Sequence, residues 1–476
     1  MATQTWTGGG ADNLASTALN WSTAAPTTGD TVVFDGAFPV TGNKNCTFDI
    51  ADSFASINST GYTGTITQSA ATITITAGLT LANSTFAHGS LKFIFGAGTY
   101  SVDAGTAGNS FNNLEFKAFA GATVTLSNDI TVVGTLDLAA SNGNSLITIN
   151  GNDIFAQGNV ICTDTARVAG TTVLNFTGGA NQSWSSNQDS RSHANELDII
   201  INKSANTLTM SGTLWLGGAF TYTAGTVAQG TSHVKIASEG TFAETWTTSG
   251  MSFYDVSALN FLGTTVTLGS NMAVSNNLEL SNSTGGSAVT WTGAYTITVS
   301  GNTTITQTSG GTCDMNGGIS VATTGNFTLG AGTLLCGSGT WTINGNFTKS
   351  GGTFTAETSR FTFNGTSTLN GGVTFYNLTI NSAKTVHLTS TQTFVVGASG
   401  TFTATSCTLD AVTGGSRANL TVSGSQSVSS VTATDIDSSA GNTVVNTSGT
   451  NSNTVNWTSP AASTYKRNLV MMMGVG

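Results

Sequence analysis

Apolar and polar residues alternate in short runs along most of the chain. Clear examples are Thr72–Thr76, Thr123–Leu126 and Thr264–Leu268. A period of two places apolar side chains on one face of a strand and hydroxyl side chains on the other, as in a sheet with one buried face. Clusters of Gly, Asn and Ser separate the runs, as turn residues do. The pattern therefore predicts an all-β protein.

A Gly-Asn unit followed by an alternating strand recurs along the chain. It begins at Gly301, Gly325 and Gly345, which are 24 and 20 residues apart. Such a repeat fits one turn of a parallel β-helix, or β-solenoid, in which each turn buries its apolar face only by stacking on its neighbours. At roughly 22 residues per turn, residues 41–440 predict roughly 18 turns and a rod roughly 85 Å long.

The alternative architecture is a set of two or three β-sandwiches in tandem, with short strands every 8–12 residues or so. The distribution of proline favours the solenoid, because Pro26, Pro39 and Pro460 are the only three and no Pro-containing linker divides the middle. We therefore predict a cap or entry segment over residues 1–40, a β-solenoid over 41–440, and a C-terminal cap and tail over 441–476.

Composition narrows the possible functions. Only 8% of the residues are charged, the net charge is −10, and no basic patch is present, which argues against a nucleic-acid partner. The five cysteines are far apart, without zinc or disulfide spacing, and are expected to be small buried residues. The Gly-rich calcium β-roll motif is missing too. We predict no cofactor, no metal and no membrane partner.

Paired carboxylates are the candidates for catalysis. Polysaccharide hydrolysis uses two acids roughly 5–10 Å apart. Asp435 with Asp437 is the best local pair, at positions i and i+2 on one face of a strand, and Glu196 with Asp198 is the second. Two carboxylates on a solvated strand usually serve solubility alone. We therefore predict that the protein is not an enzyme and assign no catalytic residue.

Tryptophans raise a second question about binding. They could line a sugar-binding face or fill the core between turns, and we expect the core, because aromatic side chains bury large apolar areas. The residues concerned are Trp184, Trp215, Trp246, Trp291 and Trp341.

The C-terminal segment abandons the β pattern for a contiguous apolar row. A row of this kind is a liability unless something covers it, and methionine adapts well to partner surfaces. Two interpretations stay open: the segment covers the last turn as a cap, or it docks into a partner whose acidic rim meets its basic pair. The predicted docking residues are Tyr465, Lys466, Arg467, Leu469, Val470, Met471, Met472 and Met473.

The N-terminal residues carry a family resemblance. Trp6-Thr7-Gly8-Gly9, Asn20-Trp21, Pro26 and Gly29–Phe34 resemble the first repeat of β-helical bacterial adhesin passengers and phage virion proteins. The resemblance covers residues 6–34 and implies that the chain enters a right-handed parallel β-helix. The N-terminus lacks a basic region followed by an apolar one, so we expect no secretory signal, which favours the phage proteins over the secreted adhesins.

The resemblance implies a function. We expect a bacteriophage virion structural protein of the surface fibre or decoration type, assembled in the host cytoplasm and displayed on the virion surface. Its partners would be other capsid or tail proteins, reached through the C-terminal tail, together with a cell-surface glycan. By analogy with fibres and spikes it would be a homo-oligomer such as a trimer. The alternatives are a polysaccharide-degrading tailspike and a bacterial surface adhesin.

Overall fold

The chain folds as a stack of short parallel strands, and 56% of its residues lie in strands against 2% in helices. The all-β prediction is confirmed, and the parallel pairing rules out tandem antiparallel sandwiches. The computed structural model describes residues 1–36, 45–105, 109–117, 121–138, 145–162, 166–188, 190, 192, 194–260, 262–283, 286–307 and 310–460.

Nineteen strands make up the N-terminal part. They are β1 Thr3–Thr5, β2 Thr31–Val33, β3 Cys46–Phe48, β4 Ser53–Asn58, β5 Thr65–Gln68, β6 Thr72–Thr80, β7 Thr85–Ala87, β8 Lys92–Phe95, β9 Gly98–Asp103, β10 Asn113–Phe116, β11 Ala122–Leu126, β12 Ile130–Val132, β13 Leu136–Asp137, β14 Leu146–Gly151, β15 Ile154–Ala156, β16 Val160–Cys162, β17 Arg167–Ala169, β18 Val173–Phe176 and β19 Gln182–Ser186. One 3₁₀ helix, Ala18–Asn20, lies among them.

The middle part contains the longest strand of the described chain. Its strands are β20 Asp198–Leu216, β21 Phe220–Ala228, β22 His233–Ile236, β23 Phe242–Thr247, β24 Ser252–Phe253, β25 Asp255–Asn260, β26 Thr264–Leu268, β27 Met272–Val274, β28 Leu278–Ser283, β29 Ala288–Thr292, β30 Thr296–Val299, β31 Thr303–Thr306, β32 Thr312–Met315 and β33 Ser320–Thr323. Another 3₁₀ helix, Asn316–Gly318, follows β32.

The C-terminal part continues the same stack. Its strands are β34 Phe327–Ala331, β35 Thr333–Leu335, β36 Thr340–Ile343, β37 Phe347–Lys349, β38 Thr353–Thr355, β39 Arg360–Phe363, β40 Ser367–Asn370, β41 Thr374–Ile380, β42 Thr385–Leu388, β43 Thr393–Thr405, β44 Thr408–Ala411, β45 Ala418–Val422, β46 Ser425–Ser429, β47 Thr432–Thr434, β48 Ile436–Asp437, β49 Val444–Val445, β50 Thr450–Ser452 and β51 Trp457–Thr458.

From β22 to β39, each turn of the solenoid has three sides. Side A is the ladder from β22 through β25, β28, β31, β34, β37, β40, β42, β44 and β47 to β50. Side B is the ladder β23, β26, β29, β32, β35 and β38. Side C runs from β24 through β27, β30, β33, β36, β39 and β41 to β43. The stack comprises about 18 turns.

The Gly-Asn units mark the corner at which each turn lies on the one before. The Gly325 amide donates to the Gly301 carbonyl at 2.8 Å, and the Gly345 amide donates to the Gly325 carbonyl at 3.1 Å. The predicted spacing of 20–24 residues per turn is therefore confirmed at these positions. Insertions and deletions at the corners vary the turn length elsewhere, since Leu278 lies beneath Thr303 and Ala433 beneath Asn451.

Asparagine side chains form a ladder along the same corner. The Asn302 amide donates to Asn277 Oδ1 at 3.0 Å, the Asn326 amide to Asn302 Oδ1 at 2.9 Å, and the Asn346 amide to Asn326 Oδ1 at 2.8 Å. Backbone amides at a corner leave the strand ladder and need another acceptor. The asparagine of each turn supplies it to the next, which explains why asparagine follows glycine in the repeat.

The core is one continuous column of apolar side chains inside the stack. Trp184, Trp246, Trp291 and Trp341 lie in it and are at most 1% exposed. Trp215 is also buried, but it packs in a small separate cluster with Ala194 and Ala237. The expected core role is therefore confirmed for four tryptophans, and none of the five forms an open sugar-binding face.

All five cysteines are buried, as expected from their scattered positions. In the N-terminal segment β1 pairs in parallel with β2, and β2 pairs in parallel with β4, while β50 extends side A beyond residue 440. No helix within the described ranges is long and apolar enough to span a membrane.

Candidate functional site

The structure places Asp435 at a corner and Asp437 in strand β48. Asp435 lies at the corner between β47 and β48 with φ at 58°, so the two residues do not share one strand face. The Gly415 amide donates to Asp435 Oδ2 at 2.8 Å and lowers the pKa of this carboxyl, with a second contribution from Asn453. The expectation of one shared face was wrong, and a lowered pKa is the opposite of what a general acid needs.

Asp437 is held in a similar way. The Ser439 hydroxyl and backbone amide lower the pKa of its carboxyl, and the amide donates to Oδ1 at 2.8 Å. Both carboxylates therefore stabilise turns near the C-terminal end of the rod.

Glu196 and Asp198 also serve the architecture. Glu196 Oε2 lies 2.5 Å from the Arg167 guanidinium, and its Oε1 accepts hydrogen bonds from Ser238 and from the Glu239 amide. Asp198 Oδ1 accepts from the Ala219 amide at 2.9 Å. These contacts join adjacent turns and point the two carboxylates at different partners.

The predicted docking residues of the C-terminal tail lie outside the described residues. They are Tyr465, Lys466, Arg467, Leu469, Val470, Met471, Met472 and Met473. Their docking role stays a prediction from the sequence.

A cleft that sequence reasoning missed opens on side B, and we call it the acid cleft. It has a volume of about 420 Å³ and is lined by Asp314 and Glu357 together with Asn316, Ser338 and Thr358. Burial, together with the nearby Glu357 charge, raises the pKa of Asp314. A pair of carboxylates in which one has a raised pKa is the arrangement that glycoside hydrolysis uses.

A second cleft adjoins the acid cleft, and we call it the aromatic cleft. Its volume is about 370 Å³, and it is lined by 354–357, 374–376 and 397–399. Glu357 lines both clefts. Phe354 forms the floor with Phe375, at a centroid separation of 5.8 Å.

The aromatic cleft lies where side B is interrupted. Strand β38 pairs with β35, and within the described part of the chain no pairing joins β38 to the next turn, where β41 begins. Sides A and C continue through the same level. Phe354 points inward from β38, so the missing ladder leaves this core side chain half-exposed.

A third cleft, the histidine cleft, lies on side A. It has a volume of about 380 Å³ and is lined by His233, Asp255, Ser257 and Glu279 with neighbouring Asn and Thr side chains. His233 Nε2 lies 2.7 Å from Ser257 Oγ, and burial, reinforced by the Lys235 charge, lowers the His233 pKa. The Asp255 carboxylate accepts from the Asn277 amide at 2.9 Å, so it is part of the corner ladder.

No cluster of three or more His, Cys, Asp or Glu side chains suited to a metal ion occurs in the described part of the chain. No protein-family model, curated protein or solved structure matches this chain.

Proposed function

We propose that this chain is a non-enzymatic structural rod on the surface of a bacteriophage virion, of the fibre or decoration type. The observation that carries the proposal is the parallel ladder of about 18 turns, which gives a rod roughly 85 Å long. In a solenoid each turn contacts only its neighbours, so length is added without changing the cross-section. Such a shape suits projection or reinforcement.

The N-terminal residues that carry the resemblance to phage virion proteins pack against one another. The rings of Trp6 and Trp21 pack edge to face at 5.2 Å, and both contact Phe34. The Trp21 indole donates to the Ala15 carbonyl at 2.6 Å. These residues form a buried aromatic cluster in the first described turns, so the residues that carry the resemblance pack into the core.

Attachment to the particle is assigned to the C-terminal tail. Lys466 and Arg467 would contact an acidic rim on another virion protein, and Leu469–Met473 would enter an apolar groove. Particles assembled with a chain lacking residues 464–476 should contain less than a tenth of the normal amount of the rod. A full-length Ser463→Asp variant is the control for changes near the tail. Normal incorporation of the truncated chain would refute the docking role.

A second candidate function is binding or cleavage of host polysaccharide at the acid cleft. The observation in its favour is the raised pKa of Asp314 beside Glu357. The test is incubation of the protein with host capsule and measurement of new reducing ends. Loss of product in Asp314→Asn and Glu357→Gln, with product retained in the control Asp437→Asn, would establish cleavage. Absence of product in the parent protein would exclude cleavage.

A further inference from the structure

We infer that in the free protein the C-terminal segment Leu469–Met473 docks into the aromatic cleft of its own rod. The inference concerns the chain before assembly and holds whatever the tail binds on a particle. The occupant is the tail of the same chain. The chemistry of the cleft, its position relative to the last described turn, and charge all favour this contact.

The cleft offers an apolar floor of the kind that Leu and Met side chains fill. The Phe354 ring lies 5.3 Å from the Phe361 ring and 5.8 Å from the Phe347 ring, so the opening leads to an aromatic cluster of the core. Ala398 lines the wall, and a smaller apolar cleft with Val373 and Val395 adjoins on the other side of Phe354. Methionine contacts aromatic rings favourably and adapts to irregular surfaces.

The last described turn lies on the same corner of the rod as the cleft. Asn456 Nδ2 donates to the Gly441 carbonyl, Asn442 Nδ2 donates to the Gly424 carbonyl, and Gly424 abuts the carbonyl of Gly397 in the cleft wall. Three turns therefore separate Asn456 from the cleft, a distance of roughly 14 Å.

The tail is long enough to cover this distance. Pro460 lies four residues, at most roughly 13 Å, beyond Asn456, and the segment from Pro460 to Leu469 can extend roughly 30 Å. It can therefore span both this distance and the roughly 14 Å along the rod. A short tether of this kind gives an effective concentration on the order of millimolar, which favours the cleft of the same chain over that of a second copy.

Charge favours the same placement. The tail carries the adjacent cations Lys466 and Arg467 in a chain of net charge −10. Glu357 lines the aromatic cleft, and Asp314 lies beyond it in the acid cleft. The slack in the tether lets the basic pair approach these carboxylates while the apolar residues cover Phe354. The histidine cleft is lined mainly by polar side chains, without an aromatic ring of Phe, and lies on side A, so it is the suitable negative control.

A cysteine pair in the full-length chain tests the contact. Ser399→Cys with Met472→Cys should form a disulfide within one chain under mild oxidation, detected as a linked peptide by mass spectrometry. The control pair Thr304→Cys with Met472→Cys places the first cysteine in the histidine cleft and should give less than a tenth as much product. The native cysteines are buried and do not compete. Equal yields from the two pairs would overturn the inference.

Hydrogen exchange gives an independent test. Met472→Asp in the full-length chain should accelerate exchange at the amides of Ala398 and Ser399 at least tenfold, because a charged side chain at position 472 would not enter the apolar cleft. The control Ser463→Asp should leave this exchange unchanged. Unchanged exchange in Met472→Asp would overturn the inference. A cross-link that joins two chains and grows with protein concentration would also overturn it, because the occupant would then be a second copy.

Discussion

Lys203 is a buried cation without a carboxylate partner among the described residues, and its replacement by methionine is the most informative stability test. The side chain lies in β20 and is 2% exposed. Its Nζ donates to the Gly178 carbonyl at 2.6 Å, the Ala180 carbonyl at 2.9 Å and Gln182 Oε1 at 2.6 Å. Three acceptors match the three protons of an ammonium group. The lysine therefore ties β20 to the loop before β19.

The expected magnitude follows from these contacts. Hydrogen bonds to a charged group contribute about 1.5–3 kcal/mol each, so the three together contribute about 5–9 kcal/mol. Burial lowers the Lys203 pKa. Taking an ammonium group out of water costs several kcal/mol, which offsets part of the contribution of the hydrogen bonds. Methionine has a similar length but leaves all three acceptors unsatisfied. We expect Lys203→Met to destabilise the surrounding turns by about 3 kcal/mol.

Native-state hydrogen exchange is the suitable assay, because turns of a solenoid open locally. Amides of β19, β20 and β21 should exchange roughly a hundredfold faster in Lys203→Met, since a factor of ten corresponds to about 1.4 kcal/mol. The control is Lys384→Met, whose side chain is half-exposed. Exchange in these strands within about threefold of the parent protein would refute the reasoning, because the three hydrogen bonds would then contribute nothing net.

Three further predictions concern backbone, acid and thiol chemistry. Gly158→Ala should destabilise its turn strongly, because a Cβ there would lie 1.7 Å from the Gly134 carbonyl oxygen. A Cβ in the control Gly414→Ala meets nothing within 4 Å, so its thermal denaturation should match that of the parent protein. Hydrogen bonds lower the Asp435 pKa, so they contribute stability above about pH 4, and this stability is lost as the pH falls through the pKa of the folded state. Hydrogen exchange at the C-terminal turns should therefore accelerate in acid for the parent protein, but change little in Asp435→Asn. Burial raises the pKa of Cys162 to about 12 and the pKa of Cys407 to about 11. A thiol reagent at about pH 8 should therefore leave both cysteines unmodified until the protein is denatured. Rapid reaction of the native protein would contradict their burial.

The fold was predictable because its signals are local and repeated. Alternation along Thr264–Leu268 defines a strand with one buried face, and the structure places Thr264, Val266 and Leu268 on that face. The spacing of Gly301, Gly325 and Gly345 gives the turn length directly, since each glycine lies on the one before. Periodicity of this kind needs no knowledge of contacts distant in sequence.

The clefts were not predictable, because they depend on register between turns. Asp314 and Glu357 are two turns apart, and the turn length varies along the rod. No fixed spacing in the sequence therefore predicts that they lie close together. The exposure of Phe354 results from a missing strand pair, which alternation alone does not reveal. The proposed face shared by Asp435 and Asp437 was wrong for a related reason: a corner falls between β47 and β48.

The most direct test of the proposed function is to locate the rod by electron cryomicroscopy. Purified virions and envelopes of cells from the same source would be labelled with a gold-conjugated antibody against the folded protein. The account predicts gold on the virion surface, at projecting or lattice-bound densities roughly 85 Å long. Gold on the cell envelope alone, or densities far from this length, would contradict a virion rod built from about 18 stacked turns.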